Sequence, residues 1–359
     1  MPAPHRFGYS PFEQLEDRPH VMVDGAARRS SVLTLSHWPH APSPLVLAHD
    51  LSVGIVLRFW RHRLGLTSAG RPERAAVAEA LARASEAEAV TNDHFDEDGL
   101  MAVFAMMEPE IALRRADLVL EVASCGDFGV VSSKRAAAVS FAVAPLAELE
   151  AGSGASTSER YLALLPRVEE LLSRPEDYEA LWGAEMGLLE EGRAALGRGA
   201  VELSEQADDL AVVSRAGGSP ARLPGAAGAL PIHAAAVHSA TSCGRILCFD
   251  GPRCELYLRY ESWVRYVSRR MPLRPELGPL ALELSGLEPG GVTWAANGSA
   301  AIVARLRPSG EGCSELAPEV IAERVHRYLA TAPPAWDPFA SSPGALAGRR
   351  GRRRPGARR

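Results

Sequence analysis

The sequence predicts an α/β fold, a parallel sheet with helices on both faces, followed by a smaller α+β domain. Three observations predict it. Short β-branched or apolar runs alternate with helix-length segments through the first 200 residues. The segments between those runs are long enough for the crossovers that parallel pairing needs. Past residue 200 the texture changes to closely spaced strands with a hairpin signal, DGPR, at 250–253. The expected division is an α/β metal-binding domain at 1–200, an α+β substrate domain at 201–333 and a disordered Arg-rich tail at 334–359.

Taken in order, HVMVDG (20–25) and SVLTLSH (31–37) read as strands. DLSVGIVLRFWRHR (50–63) reads as a helix capped by Asp50 or Ser52, because Val53, Val56, Leu57 and Trp60 recur at spacings of three and four. The Ala-rich segment 71–88 is strongly helical, and AVTN (89–92) follows as a strand. A helix is expected from Leu100 to Glu108, then a buried strand at 116–124 ended by GDFG, then helices at 134–150, 158–173 and 176–197. In the second part, 209–215, 245–251 and 254–263 read as strands, and 317–332 as a helix stopped by Pro333. The loop at 217–231 reads as an insertion.

With 359 residues, 47% of them hydrophobic and 23% charged, the chain can bury two cores and is not intrinsically disordered. It contains no apolar run of about 18 residues, and charges and prolines occupy the N-terminus where an export signal needs apolar residues. A cytoplasmic protein with no membrane partner is expected. Five cysteines at irregular spacing fit reduced thiols in a core rather than a disulfide framework or a zinc site. The last eleven residues hold seven arginines, which leaves the rest of the chain near −12 beside the net charge of −5. An acidic body excludes a general nucleic-acid surface. The tail reads as a solvated appendage, or as an element of a scaffold protein that recruits an acidic partner.

The densest chemistry lies in TNDHFDEDGLM, residues 91–101. If the chain is extended from His94 to Asp98, residues two apart project to one side, so His94, Asp96 and Asp98 converge. One imidazole with two carboxylates is a mixed N/O site suited to Mn2+ or Mg2+. Gly99 allows a tight turn into the helix with no Cβ near the ion. The alternative is that Asp98 caps the helix and the other acids are solvated. DFG at 127–129 is not a kinase motif, since no Gly-rich loop, strand lysine or HRD loop accompanies it.

HFDEDGLMAVFAM resembles the first motif of the DHH phosphoesterase superfamily, an HxDxDG block on a strand-to-helix turn that binds part of a dinuclear manganese centre. The resemblance implies that His94, Asp96 and Asp98 are metal ligands. It implies a further acid at the end of a neighbouring strand, matched by Asp127. The Asp-His-His block that names the superfamily is matched by LSHWPHAPSP, where Ser36 and Trp38 replace Asp and His, His37 remains, and His40 lies nearby. This block precedes HxDxDG here, whereas in the superfamily it follows. The chain as a whole also resembles an uncharacterised bacterial family sharing LSHWP, HFDEDG and a YESWV block.

Ligands of an open parallel sheet gather beyond the carboxyl ends of its strands, so His37, His94 and Asp127 are expected at one edge. There a metal-activated water would attack, with His37 or His40 protonating the leaving oxygen. The expected substrate is a small phosphorylated, nucleotide-like molecule. Arg259, Arg265 and Arg269 of the second domain are expected substrate contacts by the bidentate fit of guanidinium to phosphate, and His238 by its place in the cleft-facing segment IHAAAVHS. The alternative places those arginines on the wet side of a core hairpin. A degenerate, non-catalytic nucleotide- or metal-binding relative is a second reading.

Overall fold

The computed structural model describes residues 7–67, 70, 73–216 and 222–340. The Arg-rich segment 341–359 and part of the 217–231 loop lie outside the described residues. In chain order the elements are β1 (His20–Val23), β2 (Ser31–Leu35), α1 (Ser52–Arg63), α2 (Glu73–Ala84), β3 (Ala89–Thr91), α3 (Glu97–Met107), α4 (Pro109–Arg114), α5 (Ala116–Phe128), α6 (Lys134–Ala151), α7 (Thr157–Leu164), α8 (Val168–Ser173) and α9 (Glu179–Gly197). The second part follows with β4 (Val201–Gln206), β5 (Leu210–Arg215), α10 (Ala234–Ala240), β6 (Arg245–Asp250), β7 (Arg253–Leu258), β8 (Arg274–Pro275), α11 (Gly278–Leu287), β9 (Trp294–Ala296), β10 (Ala304–Pro308), α12 (Pro318–Thr331) and β11 (Pro334–Trp336).

The architecture is α/β, with two main sheets of different character and a small two-stranded sheet of β8 and β11. β1 lies between β2 and β3 in a parallel three-stranded sheet. All four β1 residues are buried, as expected of a central parallel strand covered on both faces. The second sheet is mixed, in the order β4-β5-β6-β7-β10-β9, and β5 to β6 is its parallel pair. α3 is apolar around its whole circumference from Leu100 to Met106, so it can only be a central helix, and it packs between α1 and α5. One large core runs from the first sheet through this helical layer to Val213, Ile246 and Tyr257 of the mixed sheet. A smaller core on the sheet's other face is closed by α11 and α12.

Several expectations change. Residues 116–124 are not a strand but most of helix α5, whose buried positions Ala116, Val119, Val122 and Ala123 follow helical spacing. GDF is its last turn, and Gly129, with φ of 63°, terminates it in the left-handed conformation that glycine adopts without strain. The strand expected at 254–263 stops at Leu258, and Tyr260–Ser262 form a turn. β4 is a strand that the sequence reading lacks. The helix expected at 158–173 divides into α7 and α8 around Pro166. Residues 334–336, expected to begin the tail, pair with β8. α1 has no side-chain cap of its own, because the N–H groups of Ser52 and Val53 donate to Asp98 across the core.

Candidate metal centre

The three parallel strands end side by side, and each leads directly into a polar residue. β1 leads into Asp24, which sits at φ of 43° just before Gly25 and donates its backbone N–H to Leu35 O. β2 leads into the turn Ser36–His37–Trp38. There Ser36 N donates to Ser43 Oγ, Ser43 Oγ donates to Ser36 O, and Trp38 N donates to Ser36 Oγ. Ser36 therefore shapes the turn that presents His37. β3 leads into Asn92, whose Oδ1 accepts from His94 N and fixes the start of the HFDEDG segment. Asp96 is the N-cap of α3 and accepts from Gly99 N at 2.8 Å.

Two His–carboxylate groups result, and they share Asp24. The outer group is His94, whose Nε2 lies 2.9 Å from Asp96 Oδ2 and 3.3 Å from Asp24 Oδ2. The inner group is His37, whose Nε2 lies 3.4 Å from Asp24 Oδ1, 3.5 Å from Asp127 Oδ2 and 3.9 Å from Asp98 Oδ2. Ligands about 2.1 Å from one cation at tetrahedral or octahedral angles stand roughly 3.0–3.5 Å apart. Most of these separations match the edges of a coordination polyhedron. The separations around His37 are longer than those of strong hydrogen bonds. His37 Nδ1–H donates to Asp50 O at 2.5 Å, which leaves Nε2 facing the carboxylates.

Burial divides the site into a floor and a mouth. The side chains of His37, Asp24, Asp98 and Asp127 are at most 4% exposed, whereas those of His94, Asp96 and Asp93 are 31%, 32% and 24% exposed. Trp38 lies against the His94 ring, with centroids 5.0 Å apart, and forms one wall of the mouth.

So much buried acid is electrostatically costly, and the ionisation of each group reflects that. Burial and the Asp24 charge push Asp98 up to about 7. Burial and the charges of Asp98, Asp96 and Asp24 push Asp127 well above the usual carboxylate range. Burial would raise Asp24 too, but the neighbouring imidazoles of His37 and His94 bring it below its ordinary value. Burial would lower both histidines, yet their carboxylate neighbours raise them. Asp24 Oδ2 and Asp127 Oδ2 are buried with no hydrogen-bond partner. Buried oxygens of this kind in a group of hard O/N donors are what a divalent cation would satisfy, so these residues fit such an ion.

Of the sequence-predicted site residues, His37, His94, Asp96, Asp98 and Asp127 come together, although Asp127 arrives from the last turn of a helix and not from a strand end. Asp98 has a second task, because both its oxygens accept N–H groups at the N-terminus of α1, at 2.6 and 2.8 Å. Gly99 makes room for Asn92 and Tyr161 rather than for an ion, since a Cβ there would lie 2.4 Å from Asn92 Nδ2 and 2.6 Å from Tyr161 Oη.

The remaining predicted residues face elsewhere. His40 Nδ1 bonds Ala340 O, and its ring packs on Trp336. Arg259 is buried, ion-paired to Glu261, and donates to the carbonyls of Phe128, His238 and Thr241. Arg265 donates to Ala41 O, and Arg269 to Ser242 O and Asp209. His238 bonds Phe128 O and Tyr257 Oη. Buried carbonyls need donors, and these groups supply them.

Sequence reasoning missed Asp24, Asp50 and Tyr260. The signal for Asp24 was an acid followed by glycine at the end of a strand. Asp50 and Tyr260 carried no local signal, because they meet His37 only through tertiary packing.

A family model described as a family of unknown function (DUF6687) matches residues 5–340. The chain belongs to that family. No curated protein and no solved structure matches it. The span matched to DUF6687 includes the LSHWP, HFDEDG and YESWV blocks, and all three meet at the acidic cluster. No helix of the described residues is long and apolar enough to cross a membrane.

Proposed function

We propose that this protein is a metal-dependent hydrolase of a phosphodiester or phosphoanhydride bond in a small nucleotide-like substrate, with Mn2+ or Mg2+ as the cofactor. The observation that carries the reading is Asp24, one buried carboxylate facing an imidazole with each oxygen, between two groups that each hold at least one further acid. The DHH-like HxDxDG block points to the same chemistry. Asp24, His94 and Asp96 would hold an outer ion, and Asp24, His37 and Asp127, with Asp98 behind them, an inner one. When bound, such a pair supplies Lewis acidity and an activated water. The chain's own contribution is orientation. Asp50 O fixes the His37 tautomer, Asn92 and Gly99 fix the HFDEDG segment, and Trp38 walls the mouth.

Metal analysis of purified protein after incubation with Mn2+ should find about two ions per chain, and bis-p-nitrophenyl phosphate should be hydrolysed. Asp24→Asn should lose both ions and reduce the rate by at least about 10²-fold, because it weakens both groups at once. Asp93→Asn should change the rate by less than about tenfold, since Asp93 only orients His94 Nδ1. Unchanged metal content and rate in Asp24→Asn would overturn the reading.

A second reading, a nucleotide- or metal-binding protein without turnover, is favoured by the engagement of Arg259, Arg265 and Arg269 away from the cluster. It predicts thermal stabilisation by Mn2+ and a nucleotide with no product formed.

A further inference from the structure

The second half of the chain reaches the acidic cluster through one side chain that sequence reasoning did not select. Tyr260 follows β7 in a turn held by Trp263 N–H donating to Tyr260 O and Ser262 N–H donating to Arg259 O. Its ring is stacked on Trp263 with centroids 5.6 Å apart, tilted against Phe128 at 6.1 Å and edge-on to His37 at 5.8 Å. Packed on these sides, its hydroxyl has little freedom to move. Tyr260 Oη lies 3.4 Å from His37 Nε2, beyond the range of a strong O–H···N bond. The same nitrogen is ringed by Asp24, Asp127 and Asp98 at 3.4–3.9 Å. The phenol oxygen thus belongs to the shell of groups around the inner position.

We propose that the Tyr260 hydroxyl donates a hydrogen bond to an anionic oxygen of the phosphorylated substrate at the inner group, which makes it a catalytic residue supplied by the second half. The proposal rests on the metal-dependent reading above. A guanidinium beside so many carboxylates would pair with them, as Arg259 does with Glu261. A phenol brings a donor without a charge to neutralise. A fixed donor in a water-poor site is the arrangement that stabilises developing negative charge.

Tyr260→Phe keeps the ring and its stacking and removes only the donor. Three quantities decide the matter: Mn2+ content, the Kd of inorganic phosphate for the Mn2+-loaded protein by calorimetry, and kcat/KM on bis-p-nitrophenyl phosphate. The expected result is Mn2+ affinity within about threefold of wild type, phosphate binding weakened at least about tenfold, and kcat/KM reduced about 10²-fold. Phosphate affinity and rate within about twofold of wild type, with Mn2+ retained, would overturn the Tyr260 assignment and leave the metal reading standing. Loss of Mn2+ in Tyr260→Phe would also overturn it, by making the residue a support for the ligands. A wild-type protein that binds no Mn2+ overturns both.

Discussion

Asp24 and His238 show opposite ways of making a buried polar side chain tolerable. Asp24 gathers cationic partners around a charge, whereas His238 gives up its charge. Burial and the neighbouring Arg259 lower His238 to about 3, so it is a neutral imidazole bridging Phe128 O and Tyr257 Oη. Its folded value lies below the ordinary 6.5, so the stability it contributes is present above pH 6.5 and is lost as pH falls toward 3. Across that window the unfolded chain binds a proton that the folded chain refuses. Urea denaturation at pH 7, 5 and 4 should therefore show a shallower loss of stability in His238→Gln than in the wild type. Parallel curves for the two proteins would contradict a neutral His238.

At the scale of elements, α5 does the unexpected work. It carries Asp127 into the cluster, and its final carbonyl, Phe128 O, is bound by Arg259 and His238 of the second half. Gly129 is the joint, because at its φ of 63° a Cβ would lie 2.6 Å from His238 Nδ1. Gly129→Ala should cost about 1–3 kcal/mol of stability in chemical denaturation, combining backbone strain with overpacking. It should also weaken Mn2+ binding, through displacement of Asp127. This helix also shows where the sequence stops being legible. In ADLVLEVASCGDF a short β-branched run looks like a buried strand, and a buried helix carries apolar residues on more than one face. The deciding signals are its length and the glycine just beyond it. By contrast, β1, β2 and β3 were legible because short Val/Leu runs end in turn residues, and the HxDxDG block was legible because all its polar groups lie within five residues. Asp127 lies 3.5 Å from His37, but it is carried by the last turn of a helix rather than by a strand end. Asp24 offered only an acid before a glycine at a strand end, a weak signal on its own, and alternation in sequence does not reveal which carbonyls the second-half arginines serve.

For the whole molecule, the main consequence is continuity. The larger core includes residues from Phe7 to Val264, so the parallel sheet and the mixed sheet share buried surface. Circular dichroism and tryptophan fluorescence should accordingly report one thermal transition at a common midpoint. Two resolved transitions would mean that the halves fold independently. Arg274 fastens the turn that follows β7 to the segment 299–302. It is 1% exposed, and its guanidinium donates to Ser262 Oγ and to the carbonyls of Arg259, Ser299, Ala301 and Ile302. Arg274→Met keeps the aliphatic stem but strands those acceptors, at about 1–3 kcal/mol for each one left unpaired. Its urea midpoint should fall by more than that of any single surface substitution.

The peptide that carries His37 is gripped from far along the chain. His37 O accepts from Arg265 N, Ala41 O accepts from the Arg265 side chain, and Asp50, whose carbonyl holds the His37 ring, takes the N–H groups of Val267 and Ser268 on its carboxylate. During synthesis these partners leave the ribosome more than two hundred residues after the histidine they steady. A nascent chain ending just after α5 would therefore carry all six imidazole and carboxylate donors but lack the clasp that aims His37. On the proposed metal-binding reading, a fragment ending before Arg265 should bind Mn2+ more weakly than the full chain.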